Sequence, residues 1–131
     1  MGFLSVLAAA AAAWFFGAGY YMLLSKPWIE ASGVAVDENG RPAGGSSPLP
    51  FILSAVCMLL VAGMMRHIFT MSAIATVGGG AVAGFGIGLF FIAPWVMINN
   101  AYAMRPFSLT AIDGGYAVLG CTIIGAVLML I

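Results

Sequence analysis

Apolar residues in this chain do not alternate, and they do not gather on one helical face. They run on. No charge interrupts Phe3 to Leu24, and a second run spans about Leu49 to Ile68, cleanest from Phe51 to Met65. A third covers Ala73 to about Ile98, and a fourth runs from Ser108 to Ile131 with Asp113 its only charged residue. A membrane crossing takes about 20 mostly apolar residues. Lipid offers the backbone no hydrogen-bond partner, so each run is predicted to be a helix; barrel strands would alternate over roughly ten residues. The predicted fold is all-α: a polytopic integral membrane protein, one transmembrane domain over residues 1–131, with four helices in a bundle at about 3–24, 49–68, 73–98 and 108–131.

The first connection, residues 25–48, holds Lys26, Glu30, Asp37, Glu38 and Arg41 among Gly33, Gly40, Pro42, Gly44, Gly45, Ser46, Ser47 and Pro48. Asp37-Glu38-Asn39-Gly40 followed by Arg41-Pro42 is turn chemistry. Lys26 to Val36, with Trp28, Ile29 and Val34, reads as a short interfacial segment, and the rest as an irregular exposed loop. The other connections are short, Arg66 to Ser72 and Ala101 to Phe107.

Composition narrows the class. The 131 residues are 63% hydrophobic and 6% charged, with a formal net charge of zero. An ordinary soluble domain carries about 25% charged residues, so this chain is not one. Nor has it the basic footprint that nucleic acid requires. Met1 to Ala13 lacks the positive start of a signal peptide and leads straight into Trp14, Phe15 and Phe16. It reads as a retained helix, the alternative being cleavage after the alanines. Cys57 and Cys121 sit in different runs at depths differing by roughly 7 Å, which disfavours a disulfide; both read as small buried residues. An even number of spans puts both termini on one side. Lys26, Arg41 and Arg105 lie on the opposite side, against Arg66 alone, so the positive-inside rule predicts extracytoplasmic termini.

In lipid, helices associate by close packing of small residues four apart. The third run has Thr76, Gly80, Gly84 and Gly88 in that register, the first Ser5, Ala9, Ala13 and Gly17, the fourth Ala117, Cys121 and Gly125. These stripes suit packing within the bundle or against another chain. Gly78-x-Gly80-x-x-Ala83 matches a dinucleotide fingerprint, but that motif works after a strand and none precedes it.

Candidate polar groups converge where the first run ends, the third ends and the fourth begins. They are Tyr20, Tyr21, Lys26 and Trp28; Asn99, Asn100, Tyr102 and Arg105; and Asp113 with Tyr116. Asp113 lies four residues from Ala117 and so faces with the small stripe. An intramembrane carboxylate costs about 2.5–3.5 kcal/mol on insertion scales and takes a partner. Arg105 is the first candidate and Lys26 the second. The same residues also suit an interfacial belt, a helix-end cap and an ion pair. The alternative is a site for a small polar ligand, a lipid headgroup or a partner protein. Pro94 is expected to kink the third helix. Across the membrane, Arg66 and His67 are read as interfacial residues in a tight turn. One His and two separated thiols do not make a metal site. The Ser and Thr residues of the runs have no base beside them. No catalytic residue, cofactor or metal is therefore expected.

At these residues the chain resembles the small bacterial membrane proteins catalogued as domain of unknown function seventeen-sixty-one. Gly17, Gly19, Tyr20 and Tyr21 are followed by Lys26-x-Trp28, then Asn99-Asn100-x-Tyr102 near Arg105-Pro106, and finally Asp113-x-Gly115-Tyr116. The match covers nearly the whole chain, departing at Met22-Leu23 and in the Gly/Pro-rich first loop. The resemblance implies four helices in a bacterial inner membrane and carries no activity with it. Two functions fit. One is a non-catalytic structural or accessory subunit that packs with itself, as a homo-oligomer, or with a larger inner-membrane complex. The other is a small oligomeric transporter or channel for a solute or ion.

Overall fold

The computed structural model describes residues 2–43 and 47–131. Met1, and Gly44, Gly45 and Ser46 of the first loop, lie outside the described residues. Four helices are long and apolar enough to cross a membrane. They are α1 (Phe3–Leu23), α3 (Leu49–Met71), the composite third span Val77–Tyr102, and α6 (Phe107–Leu130). The third span consists of α4 (Val77–Ile87), a π turn at Gly88–Ile92, and α5 (Ala93–Tyr102). The short α2 (Ser25–Ser32) falls within the segment read as interfacial. Beyond it Val36 bridges Pro42, and the Asp37 side chain accepts from the Asn39 and Arg41 amides, so the Asp37–Pro42 turn is ordered.

The architecture is a four-helix membrane bundle with α6 at its centre. α6 packs against α1 on one side and the third span on the other, while α3 leans chiefly on α1. Val6, Ala9 and Ala13 of α1, Ala62, Met65 and Phe69 of α3, and Cys121, Ile124 and Leu128 of α6 form the core. Most other large apolar side chains, among them Phe51, Leu60, Val82, Phe90 and Phe91, point outward, as lipid-facing residues must.

The ends of the helices differ from expectation. Arg66 and His67 belong to α3 itself rather than to a turn, because the helix continues to Met71. The third span sits about four residues later than its apolar run. Ser72 caps α3, Ala73 adopts a left-handed conformation (φ 56°), and Thr76 starts α4 by accepting from the Gly79 amide at 2.9 Å. The Ile74 amide reaches back to Phe69 O at 3.1 Å. The same device ends α5: Met104 is left-handed (φ 60°), with its amide on Ala101 O and that of Arg105 on Asn100 O. Each places a left-handed residue where such a cap usually recruits glycine, and at α5 both bonds of the cap are made. Cys57 is exposed rather than buried; Cys121 is buried, and both are free thiols.

α3 is also offset along the membrane normal. Trp14 donates its indole N–H to Ser54 Oγ (2.9 Å) and to Phe51 O (3.3 Å). Those partners lie within the first turns of α3, so it begins roughly 9 Å short of the loop-side end of α1. α2, which packs on α1 and α6, occupies that end instead.

Candidate functional site

α1 presents aromatic residues toward α6 over its last two turns. Phe16 and Tyr20 are one turn apart, so they stack along one face, and Tyr21 is the next position round. α6 answers with Ile112, Asp113 and Tyr116 in its second and third turns. Three hydroxyls bridge the helices. Tyr20 donates to Ile112 O at 2.6 Å, Tyr21 to Asp113 Oδ1 at 2.7 Å, and Tyr116 to Ala13 O at 2.9 Å. The Tyr116 hydroxyl also lies 3.6 Å from Met58 Sδ of α3. The rings pack on one another. Tyr21 meets Tyr116 edge-on with centroids 5.5 Å apart, Tyr20 meets Tyr21 at 5.2 Å, and Trp28 of α2 caps Tyr21 at 6.3 Å. Edge-to-face pairs of this kind add about 0.5–1.5 kcal/mol beyond the area they bury.

The partner of Asp113 is therefore Tyr21, not Arg105. Helical rise explains the correction. Asp113 is seven residues past Pro106, about 10 Å deeper than the Arg105 backbone, whereas Tyr21 lies at its own level on the neighbouring helix. Arg105 instead extends to the C-terminus of α2, where a Cβ on Gly33 would fall 2.5 Å from Arg105 Nη1. Gly33 is left-handed (φ 68°) and its amide closes α2 onto Ile29 O at 3.2 Å. The left-handed backbone is what favours glycine there, since the Arg105 side chain is exposed and can move aside.

Asp113 also faces α1 rather than the small-residue contact. The stripe of α6 meets α4: a Cβ on Gly80 would strike Gly125 O, one on Gly84 the Cys121 carbonyl, and one on Gly88 the Ala117 carbonyl. Running in opposite directions, the two stripes match position for position. Asn100 closes the third side, donating from Nδ2 to Thr110 Oγ1 at 3.1 Å.

Of the candidate residues, Tyr20, Tyr21, Trp28, Asp113 and Tyr116 come together, and Asn100 joins α5 to α6 one turn nearer the loops. Lys26, Asn99, Tyr102 and Arg105 are exposed. Ala13 and Gly17 lie on the face of α1 beneath the Tyr116 ring. Four participants were not singled out from sequence: Phe16, Met58, Thr110 and the carbonyl of Ile112. Phe16 had a signal in its one-turn spacing from Tyr20; a backbone carbonyl has none. Among the described residues no group of three or more His, Cys, Asp or Glu could hold a metal. An open groove of about 270 Å³ between α1 and α3, lined by Leu7, Ala11, Trp14, Phe15, Ala55 and Leu59 among others, is almost wholly apolar.

The arrangement cross-links helices. Its hydroxyls and carboxylate face each other and the backbone. Neither the curated proteins nor the solved structures contain a match to this chain. The family described as "Protein of unknown function (DUF1761)" matches residues 4–129, and the chain, a small all-helical membrane protein, belongs to it.

Proposed function

We propose that the protein is a non-catalytic structural or accessory subunit of a bacterial inner membrane, packing with itself or with a larger membrane complex. One observation carries this reading. The polar groups with the best prospect of forming a ligand site, Tyr20, Tyr21, Asp113 and Tyr116, are engaged in bonds between α1 and α6. What remains for a partner is the apolar outside of α3 and of the third span, together with the exposed Lys26, Asn99, Tyr102 and Arg105 on the loop side. With its hydroxyls and carboxylate committed to contacts between helices, the cluster is proposed to hold the bundle together rather than to act on a substrate.

Asp113 favours a second reading. An ionisable group within a spanning helix is a common mark of an ion or solute pathway, and a chain this small would need several copies to form one. Extraction into native-lipid nanodiscs followed by native mass spectrometry tests both. Co-purification with a defined larger complex, or a self-association that does not conduct, supports the subunit reading. A closed oligomer that carries flux in proteoliposomes, abolished by Asp113→Asn, replaces it with the transport reading, and a partnerless monomer overturns both. The count of Lys26, Arg41 and Arg105 against Arg66 supports the further proposal that both termini lie outside the cytoplasm, which a reporter fused after Ile131 checks; a cytoplasmic reporter signal refutes that orientation.

A further inference from the structure

We propose that the π turn at Gly88–Ile92 is a register switch, deciding which of two overlapping faces of α5 meets α6. The contact positions show the shift. Gly80, Gly84 and Gly88 approach α6 at steps of four, but the next contact is Ala93 against Gly114, a step of five. The Ala93 amide bonds to Gly88 O, the same five-residue step in the hydrogen-bond ladder. Burial follows. On α5, Ala93, Val96 and Asn100 are half-buried, while Pro94, Trp95, Met97, Ile98 and Asn99 are exposed. One inserted residue turns everything after it by about 100°. In a plain α-helix, Ile92, Trp95 and Asn99 would stand where Ala93, Val96 and Asn100 now stand.

One feature keeps the second register within reach. Asparagine occupies both 99 and 100, so the bond to Thr110 can be remade by the neighbouring residue. Pro94 biases the choice toward the π turn. It has no N–H to give the carbonyl four residues back, and its ring crowds that carbonyl in an α-helix. Switching would carry Trp95, now 69% exposed, to the α6 side, so anything resting on the outside of α5 would sense the register. π turns recur at functional positions in helices for this kind of reason. The inference goes beyond the subunit reading and does not depend on it.

Disulfide trapping in nanodiscs tests it, in a Cys57→Ser/Cys121→Ala background. One variant carries Asn100→Cys with Thr110→Cys, the other Asn99→Cys with Thr110→Cys. Both pairs are expected to cross-link, the Asn99 pair about tenfold or more slowly, as befits a minor state populated at roughly 0.1–10%. Pro94→Ala should narrow or invert that ratio. Deleting Phe91 removes the extra residue, and should preserve the Asn100 pair while suppressing the Asn99 pair. The proposal fails if the Asn99 pair does not form in either Pro94 background, or forms equally fast after the deletion. Melting provides a second reading that needs no cysteines. Asn100→Ala should lower Tm less than Asn99→Ala/Asn100→Ala, because Asn99 can substitute; equal losses overturn the switch.

Discussion

The two sides of α6 are held by opposite means. Against α4 it offers Gly125, Cys121 and Ala117, and the backbones come so close that a Cβ on Gly80 or Gly84 would land on a carbonyl. Against α1 it offers Asp113 and Tyr116, and large rings hold the helices together through directed hydrogen bonds. In lipid there is no hydrophobic drive between helices, so association rests on packing and on interhelical hydrogen bonds. This molecule assigns one to each side. The packed side cannot accept added atoms, whereas the bonded side can lose one bond and keep its rings in place.

Mutations on the two sides should therefore differ in size. The largest effect belongs to Gly84→Leu, whose side chain must displace the Cys121 backbone. It should cost about 3 kcal/mol or more, read by reversible unfolding in mixed micelles, whereas Gly86→Leu on the open side of α4 should leave the midpoint nearly unchanged. If the two glycines respond alike, the close approach is not what holds α4.

Next come the hydroxyls. Tyr21→Phe and Tyr116→Phe should each cost about 0.6 kcal/mol, the average for interhelical bonds in membranes, and at most about 1.7 kcal/mol. A double-mutant cycle sharpens the point. Tyr21→Phe with Asp113→Asn should show a coupling in that same range, and Arg105→Gln with Asp113→Asn none that can be measured. Coupling to Arg105 instead would restore the ion pair read from sequence. The smallest effect is at the helix ends. Ala73→Gly relieves a left-handed alanine and should stabilise by up to about 1 kcal/mol, visible as a small rise in Tm. A fall would mean that unfolded-state entropy outweighs the strain.

Much of this could be read from residue order, and the places where it could not share a cause. The four spans and the glycine stripe follow from local composition, since lipid forces apolar runs into helices and close helices need small residues. The cluster at the ends of α1 and α6 follows from topology, because consecutive antiparallel spans bring those ends to one side. The partner of Asp113 did not follow. Arg105 is nearer in sequence, but Tyr21 is nearer in depth, and depth depends on how two helices slide past each other. The π turn was equally hidden. Pro94 announced a disturbance, yet whether the helix would kink or take up an extra residue depended on Gly88 and Ala93 fitting Ala117 and Gly114.

By itself, then, the sequence determined the solvent, the number of crossings, the helical state of each, and which residues were small enough to meet. These depend on the free energy of placing each residue and its backbone in lipid. Only the tertiary structure decided the offset of α3, the register of α5, the central place of α6 and the pairing of Asp113 with Tyr21. Those depend on relative rotation and translation of whole helices, where a shift of one residue turns a face by about 100°.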